Sequence, residues 1–255
     1  MASIQPHRVN ARLRIRAGVP SVNAPKLAVL DVGATVHPEA RVVGDAVAGN
    51  AAWFRLPGER YVWTGGCSPF AGGSGPPSLD VRRRADGTVA VLTESEMKTT
   101  YGDFEWAPGR KRGAIRITDG WNVNNLVSID TPILGDEGYS KITVHKLAAD
   151  PFTRVFDAIA KAGLEEVIRT CAGTFVPRHK GWDPSRGLSS HSWGIAIDLN
   201  AEWNGYGRTP AALGEIGSLR EIVGLFEEQG FAWGGYFQPQ RWADGMHFEL
   251  ARREF

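Results

Sequence analysis

The sequence predicts an α+β fold in which a small all-β region precedes a larger region of helices and antiparallel strands. The chain has 255 residues, enough for one large domain or two smaller ones. Between residues 13 and 64, short apolar alternations are broken by glycine, proline and asparagine, a pattern typical of a small β-barrel. Beyond Arg110, apolar stripes with helical spacing alternate with short strand-like segments, as expected for helices packed on one side of an antiparallel sheet.

The N-terminal region contains four predicted strands, at residues 13–16, 26–31, 53–56 and 60–64. A stretch rich in glycine and proline at residues 71–78 predicts a linker. Asp86 and Gly87 favour a hairpin turn that leads into a strand at residues 89–92. The predicted domain boundaries are therefore a β domain at residues 1–68, a linker at residues 69–110 and a second domain at residues 111–255.

The C-terminal region contains two predicted helices. Asp150 is the predicted N-cap of the first helix, Pro151 is its first residue, and the helix ends near Gly163. Its apolar stripe consists of Phe152, Val155, Phe156 and Ile159. Ser218 and Glu221 have the spacing of a capping box for the second helix, whose predicted core residues are Ile222, Leu225 and Phe226. Strands are predicted at residues 165–170, 195–200, 231–233 and 246–251.

Two separated motifs carry the residues with candidate chemistry. The first, S-S-H-S-W-G-I-A-I-D, contains His191 and Asp198, and the second, D-G-M-H-F-E, contains His247. In the predicted strand, the isoleucines face one side and Asp198 the other, while Gly194 lets the backbone bend between the first two ligands. Hydrolytic zinc sites use three protein ligands and leave the fourth position to water. His191, Asp198 and His247 therefore predict an open catalytic site for Zn²⁺.

Two further carboxylates accompany the second motif. Asp244 lies three residues before His247 and is the predicted general base, which takes a proton from the attacking water and passes it to the leaving amine. Glu249 follows His247 in the predicted strand, where it is either solvated or orients an imidazole. Three other histidines are expected to be surface or hydrogen-bonded residues, namely His7, His37 and His145.

The composition argues against several classes of function. The net charge of +1 gives no strong electrostatic footprint for nucleic acid, and no basic surface with interleaved aromatic residues supports a nuclease. No apolar run approaches the roughly 18 residues of a membrane span, and residues 1–20 lack the apolar core of a signal peptide. Cys67 and Cys171 do not have the spacing of a metal or redox pair and are expected to be buried thiols.

The motifs S-x-H-x-x-G-x-A-x-D, W-G-G and D-x-M-H-F-E resemble those of VanY-like D-alanyl-D-alanine carboxypeptidases and phage L-alanyl-D-glutamate endopeptidases. These peptidases belong to a wider group that includes lysostaphin-type enzymes and the hedgehog domain. The resemblance covers roughly residues 111–255 and rests on Ser189, His191, Gly194, Ala196, Asp198, residues 233–235 and residues 244–249. It implies a hedgehog/D,D-peptidase-like catalytic domain in which His191, Asp198 and His247 bind zinc and Asp244 is the catalytic acid/base.

The same family uses an arginine, on a loop before the first ligand, to hold substrate and stabilise the oxyanion. The corresponding segment here, T-C-A-G-T-F-V-P-R, lacks the usual Tyr-Arg-Ser arrangement, and Arg178 is the candidate. Its guanidinium suits a peptide carboxylate or a developing oxyanion, and the alternative is a surface arginine beside His179 and Lys180. Ser189 either hydrogen-bonds substrate or caps the turn before His191.

The short motifs of the N-terminal region resemble bacterial SH3-type wall-binding domains. Such a domain would tether the enzyme to polymeric peptidoglycan and raise its effective concentration there. The alternative is a β domain that only shields or positions the peptidase. Trp53 and Trp63 would line a ligand groove in the first case, although aromatic residues of small barrels usually belong to the core.

The expected function is therefore that of a zinc metallopeptidase, a hydrolase in cell wall degradation that cuts peptidoglycan stem peptides. Both a D-Ala-D-Ala carboxypeptidase and an endolysin-like L-Ala-D-Glu endopeptidase fit the motifs, and the oligomeric state stays open. The competing class is a non-catalytic, zinc-containing protein that binds the cell wall. Action in the periplasm or outside the cell without a signal peptide would imply a phage-encoded protein or release by a non-classical route.

Overall fold

The computed structural model describes residues 7–30, 32, 34–36, 38–56, 58–69, 80–84, 88–134, 138, 140–212 and 214–255. These residues form an α+β fold in which every strand pair is antiparallel. The helices are α1 (Glu94–Tyr101), α2 (Trp121–Asn125), α3 (Ala149–Ala162), α4 (Ala201–Asn204) and α5 (Val223–Glu228). The strands are β1 (His7–Val9), β2 (Leu13–Ala17), β3 (Lys26–Leu30), β4 (Thr35–Val36), β5 (Ala40–Val47), β6 (Asn50–Leu56), β7 (Arg60–Trp63), β8 (Cys67–Pro69), β9 (Trp106–Pro108), β10 (Ile115–Ile117), β11 (Leu126–Asp130), β12 (Lys141–His145), β13 (Cys171–Gly173), β14 (Ala196–Leu199), β15 (Phe231–Trp233) and β16 (His247–Leu250).

The N-terminal strands form a five-stranded sheet in the order β3-β2-β7-β6-β5 and a three-stranded sheet in the order β4-β1-β8. All four predicted strands of this region are present as β2, β3, β6 and β7, and the structure adds β1, β4, β5 and β8. The expected closed barrel is absent from the described strands, because β3 and β5 are unpaired edges of the larger sheet. Trp53 and Trp63 are buried, and their indole N–H groups donate to the Asp45 and Asn50 carbonyls at 2.9 Å. Both tryptophans therefore belong to the core and do not line a groove.

The segment predicted as a linker, residues 69–110, differs from its prediction. The glycine- and proline-rich stretch at 71–78 and the turn at Asp86 and Gly87 lie outside the described residues. Val89 forms an isolated bridge with Arg83, so the strand predicted at 89–92 is wrong. The larger core includes Val89, Leu92, Met97, Tyr101 and Phe104. Part of the predicted linker thus packs as core, while the domain boundaries stay a prediction.

Hydrogen bonds in the first turn of helix α1 explain why the helix begins at this position. The Thr93 side chain accepts from the Glu96 N–H at 3.2 Å, and the Glu96 carboxylate accepts from the Thr93 N–H at 2.7 Å. These reciprocal bonds satisfy two N–H groups that an isolated helix end leaves without partners. The capping box therefore fixes where α1 begins.

Helix α3 confirms its predicted apolar stripe, all of whose members are buried. It begins at Ala149, one residue before the predicted cap. Its C-cap is Gly163, which has a left-handed φ of 65°. The strand predicted at 165–170 is wrong, since Glu165–Val167 is a 3-10 helix. The end of this segment has no sheet partner either, because the N–H groups of Arg169 and Thr170 donate to the Asn200 side-chain oxygen at 2.7 and 3.0 Å.

Leu225 and Phe226 of helix α5 are buried as predicted, as is Ile222 immediately before it, but the predicted capping box does not form. The helix begins at Val223, and the Ser218 hydroxyl donates instead to the Ala211 carbonyl at 3.5 Å. The two predicted strands on either side of the site are confirmed as β14 and β16, and β15 is confirmed as predicted. Cys67 and Cys171 are buried and form no disulfide with each other, so the expectation of buried thiols is confirmed.

The four-stranded sheet, in the order β13-β14-β16-β15, lies at the centre of the C-terminal region. One face of it packs against the large apolar core, which includes Ile195, Ile197, Phe226, Phe231 and Phe248. Within the part of the chain that the structure describes, no helix is both long and apolar enough to cross a bilayer. The opposite face of β14 and β16 carries the polar side chains of these two strands.

Candidate functional site

The pairing of β14 with β16 places Asp198 directly opposite His247. Directly opposed residues of an antiparallel pair project from the same face, so these two side chains meet. His191 comes from the 3-10 helix Ser190–Trp193, which ends at Gly194 with a left-handed φ of 66°. A Cβ atom at Gly194 would also lie 3.0 Å from the His145 nitrogen. Glycine at this position therefore allows the tight turn that brings His191 to the sheet.

His191, Asp198 and His247 converge at metal-binding distances. The Asp198 Oδ1 atom lies 3.1 Å from His191 Nε2 and 2.9 Å from His247 Nδ1, and the two nitrogens are 3.2 Å apart. Two ligands of a tetrahedral zinc ion, at bond lengths of roughly 2.0–2.2 Å, are separated by about 3.3 Å. All three side chains are buried, and the group could hold a metal ion.

Outer hydrogen bonds determine which ring nitrogens face this group. His191 Nδ1 donates to the Thr174 carbonyl at 2.7 Å, since a carbonyl can only accept. His247 Nε2 lies 3.0 Å from Glu249 Oε2, which also accepts from the Ser190 hydroxyl at 2.5 Å. The other nitrogen of each ring then presents a lone pair towards Asp198. Three acceptors around one point require a proton or a cation between them.

The pKa values of Asp198 and His247 also indicate that a proton or a cation lies between the acceptor atoms. Burial opposes ionisation of Asp198, but the His191 and His247 imidazoles outweigh it and hold the pKa of this carboxyl below its usual range. Burial also disfavours charge on His247, yet hydrogen bonds to Asp198 and Glu249 raise the pKa of its ring to about 10. The site therefore stabilises positive charge beside its carboxylates.

Asp244 is held beside the ligand group by a close backbone contact. Its N–H donates to the Gly234 carbonyl at 2.9 Å. A Cβ atom on Gly234 would lie 2.4 Å from the Asp244 carbonyl oxygen and 3.2 Å from the His247 Cβ, so this position of the W-G-G motif requires glycine. The Asp244 Oδ1 atom is buried without a hydrogen-bond partner among the described residues, and burial raises the pKa of the carboxyl to about 6. Asp244 is thus a carboxylate that is able to accept a proton.

Arg178 reaches the same group from the other side. Its Nη2 atom lies 3.6 Å from Asp198 Oδ2, its Nη1 donates to the Val176 carbonyl at 3.2 Å, and its guanidinium carbon is 5.4 Å from the centre of the Trp182 ring. The side chain is only 14% exposed, which excludes a free surface arginine. Ser189 is buried and its side chain does not cap the 3-10 helix, so the capping alternative is not supported.

A cleft of about 890 Å³ opens onto these residues. Arg178, Ser189, Asp244, His247 and Glu249 line its inner part. The remainder of its wall is aromatic and basic and includes Arg84, Lys180, Trp182, Arg186, Tyr206, Tyr236, Phe237 and Trp242. A concave apolar surface with a few convergent polar groups is the usual form of a small-ligand site.

Several residues of the site are not apparent from the sequence. Thr174 contributes a backbone carbonyl, for which no side-chain signal exists. Ser190 lies inside the first motif, where its position beside His191 is the available signal. Trp182 has a left-handed φ of 59°, an unusual conformation for a bulky residue, and it follows Gly181 with φ 63°. This local backbone places the indole over Arg178.

One comparison with known proteins finds a match in this part of the chain. Residues 183–250 match a family model described as D-alanyl-D-alanine carboxypeptidase. The matched segment holds His191, Asp198, Asp244 and His247, and spans about a quarter of the chain. The match supports that family, and a peptidase in general. No curated protein matches the chain at a significant level. Arg178 and the N-terminal sheets lie outside the matched segment, where the SH3-like and VanY-like resemblances stay predictions.

Proposed function

We propose that this chain is a zinc-dependent peptidase that hydrolyses an amide bond in the peptide stems of peptidoglycan. The observation that carries the proposal is the convergence of His191 Nε2, His247 Nδ1 and Asp198 Oδ1 beside the unpaired carboxylate of Asp244. Zinc held by those three atoms would polarise the scissile carbonyl and lower the pKa of a water molecule to roughly 7. The family match supplies the substrate class.

The chain's own residues then have separate roles. Asp244 accepts the proton of the attacking water and returns it to the leaving amine, for which a pKa near 6 is well placed. Arg178 donates to the substrate or to the oxyanion that develops on the scissile carbonyl. Ser189, buried at the cleft wall, hydrogen-bonds the substrate backbone. Glu249 and the Thr174 carbonyl hold the two imidazoles in orientation.

The cleft favours cleavage of an internal amide over removal of a terminal residue. An endopeptidase binds substrate residues on both sides of the scissile amide, and the cleft offers Trp182, Arg186 and Tyr206 as contacts in addition to Arg178. The proposed partner is therefore a peptidoglycan stem peptide, with an L-Ala-D-Glu endopeptidase activity preferred to a D-Ala-D-Ala carboxypeptidase activity. The site of action is the cell wall, and the SH3-like N-terminal region is proposed to bind it.

Digestion of purified sacculi of defined composition tests the proposal. The zinc-loaded protein should release peptide fragments, a chelator should stop the release, and Asp244→Asn should reduce it at least 100-fold while the metal content stays at one equivalent. Asp157→Asn, an exposed change on α3, is the matched control. Fragment masses identify the bond, since loss of one D-Ala marks a carboxypeptidase and a new D-Glu amine an endopeptidase. Bound zinc with no products from any sacculus would favour a non-catalytic wall-binding protein.

A further inference from the structure

The outer wall of the cleft carries more positive charge than the proposed hydrolysis requires. Four cationic side chains line the cleft, namely Arg84, Arg178, Lys180 and Arg186, against the carboxylates of Asp244 and Glu249. Arg178 is already associated with Asp198, and Arg84 donates to the Thr88 hydroxyl and the Val89 carbonyl. Lys180 and Arg186 remain without an evident structural role.

Lys180 and Arg186 lie on the two arms of one hairpin that leads out from Arg178. The arms are joined by the Ser189 N–H to the Arg178 carbonyl at 2.9 Å and by the Lys180 N–H to the Gly187 carbonyl at 3.0 Å. His179 Nδ1 also lies 2.6 Å from the Arg186 carbonyl. These bonds place both cations on the same short segment beside the metal-binding group.

The hairpin is anchored to the rest of the domain on both arms. The His179 N–H donates to the Gly113 carbonyl at 2.8 Å, and the Leu188 N–H donates to the Glu94 carboxylate at 2.9 Å. Gly113 has no room for a side chain, because a Cβ atom would lie 2.2 Å from the Trp182 carbonyl oxygen. A fixed segment presents its charges without a large entropic cost on binding.

The two cations have few partners of their own. Within the described residues, neither Lys180 nor Arg186 forms an ion pair with a carboxylate. Arg186 Nη1 donates to the Tyr206 hydroxyl at 3.3 Å, and its guanidinium carbon lies 5.9 Å from the centre of that ring. Lys180 is near enough to Glu249 to lower the pKa of that carboxyl, although Glu249 Oε2 already accepts from Ser190 and His247. Arg186 also contributes to the lowered pKa of the exposed Asp183 carboxyl, after the Ser185 hydrogen bonds and Arg112, and both cations line the cleft.

We propose that Lys180 and Arg186 form a subsite for a second carboxylate of the substrate, outside the position that Arg178 serves. The preferred substrate is then an acidic stem peptide with a free carboxylate away from the scissile amide. This inference rests on the proposed peptidase function and narrows its substrate class. Two carboxylates of stem peptides have this chemistry, the free α-carboxylate of a γ-linked D-glutamate and the extra carboxylate of a diamino acid such as diaminopimelate.

Synthetic stem peptides that differ only in amidation test the subsite. One peptide has both carboxylates free, one is amidated at the glutamate, one at the diamino acid, and one at both. The intact zinc-loaded chain should cleave the free peptide with a kcat/KM at least tenfold above that of the doubly amidated peptide, because charge-assisted hydrogen bonds are lost on amidation. The singly amidated peptides identify which carboxylate is bound.

Variants link the preference to the two cations. Lys180→Gln and Arg186→Gln should each reduce the preference several-fold, through a higher KM and not a lower kcat, while Lys180→Arg should retain it. Lys161→Gln, the same change at an exposed position of α3, should behave like the unaltered chain. Equal cleavage of all four peptides, or an equal loss in Lys161→Gln, would overturn the subsite.

Binding separates this inference from the proposed function. Calorimetry of the zinc-loaded Asp244→Asn chain with the same peptides should show the tenfold preference in Kd without turnover. A preference in binding with no hydrolysis by the unaltered chain would support the subsite and contradict the peptidase function. Chelator-sensitive hydrolysis with no preference in KM or Kd would support the function and refute the subsite.

Discussion

The Nε2 atom of His247 donates to the Glu249 carboxylate at 3.0 Å, and this bond turns the Nδ1 atom of the ring towards Asp198. The two residues are separated by one position in β16, so their side chains lie on the same face of the strand. Glu249 thus orients His247, although it is not one of the three residues that could hold a metal ion. Of the two roles expected for Glu249, solvated surface carboxylate and partner of an imidazole, the geometry supports the second.

Replacement of Glu249 should weaken metal binding while the three ligands stay in place. Glu249→Gln keeps an oxygen acceptor but removes the negative charge that makes the imidazole a better donor to a cation. We expect zinc affinity to fall about 10- to 100-fold, measured by competition with a chromophoric chelator. Glu202→Gln, an exposed change of the same kind on α4, provides the control. Equal affinities of these two variants would refute the role of Glu249.

The ligand positions were predictable because each lies in a motif whose local pattern is strong. Alternation of Ile195, Ile197 and Leu199 with smaller or polar residues predicts the face on which Asp198 lies, and the structure confirms it. The outer partners were not predictable to the same degree. Thr174 acts through its backbone, and Lys180 and Arg186 meet in the cleft only through the pairing of a hairpin that has no sequence signature.

Local signals failed where a distant side chain competes with them. Residues 165–170 have strand-like composition, but the segment begins as a 3-10 helix and the N–H groups of Arg169 and Thr170 donate to the Asn200 side chain. Ser218 and Glu221 have capping-box spacing, yet the Ser218 hydroxyl donates to Ala211. The capping box that does form, between Thr93 and Glu96 in the sequence T-E-S-E, and the helix α1 that it begins were not among the predicted elements.

Removal of the metal should lower the thermal stability of the chain. The acceptor atoms of His191, Asp198 and His247 repel one another unless a cation or a proton lies between them, so we expect zinc to bind the folded chain far better than the unfolded one. Zinc at about 100 times its Kd contributes about 2.7 kcal/mol, which corresponds to a rise in Tm of roughly 5–10 °C for a chain of this length. Differential scanning calorimetry with chelator and then with added zinc measures the change.

His191→Ala separates specific from general effects of zinc on stability. This variant lacks one of the three ligands, so we expect it to lose most of the zinc-dependent rise in Tm. A rise of equal size in His191→Ala and in the unaltered chain would show that the ion binds elsewhere.

Gly234→Ala should displace Asp244 from the site. The new methyl group would lie 2.4 Å from the Asp244 carbonyl oxygen, a contact that backbone atoms can relieve only by moving. We expect a loss of hydrolysis of at least 100-fold and a destabilisation of about 1–3 kcal/mol. In Gly205→Ala the nearest atoms would lie at 3.6 Å, an ordinary contact, and this variant is the control. Near-normal turnover by Gly234→Ala would contradict the close approach of the two backbone segments.

Glu228, the last residue of α5, should make stability depend on pH where the N-terminal sheet meets that helix. Burial raises the pKa of its carboxyl to about 7 from an ordinary value of 4.5, with Arg8 and Glu227 nearby. Its Oε1 atom has no hydrogen-bond partner among the described residues. Between pH 4.5 and 7 the folded chain therefore binds more protons at Glu228 than the unfolded chain does, and this group's contribution to stability falls as the pH rises.

Glu228→Gln should remove that pH-dependent loss. The amide is neutral at every pH, so the variant should exceed the unaltered chain in free energy of unfolding by about 1–3 kcal/mol at pH 8 and by far less at pH 4.5. Urea denaturation at the two pH values measures the difference, with Glu166→Gln as an exposed control of equal charge change. A stabilisation of the same size at both pH values would mean that the amide improves packing or hydrogen bonding, and that ionisation of Glu228 does not limit stability at this contact.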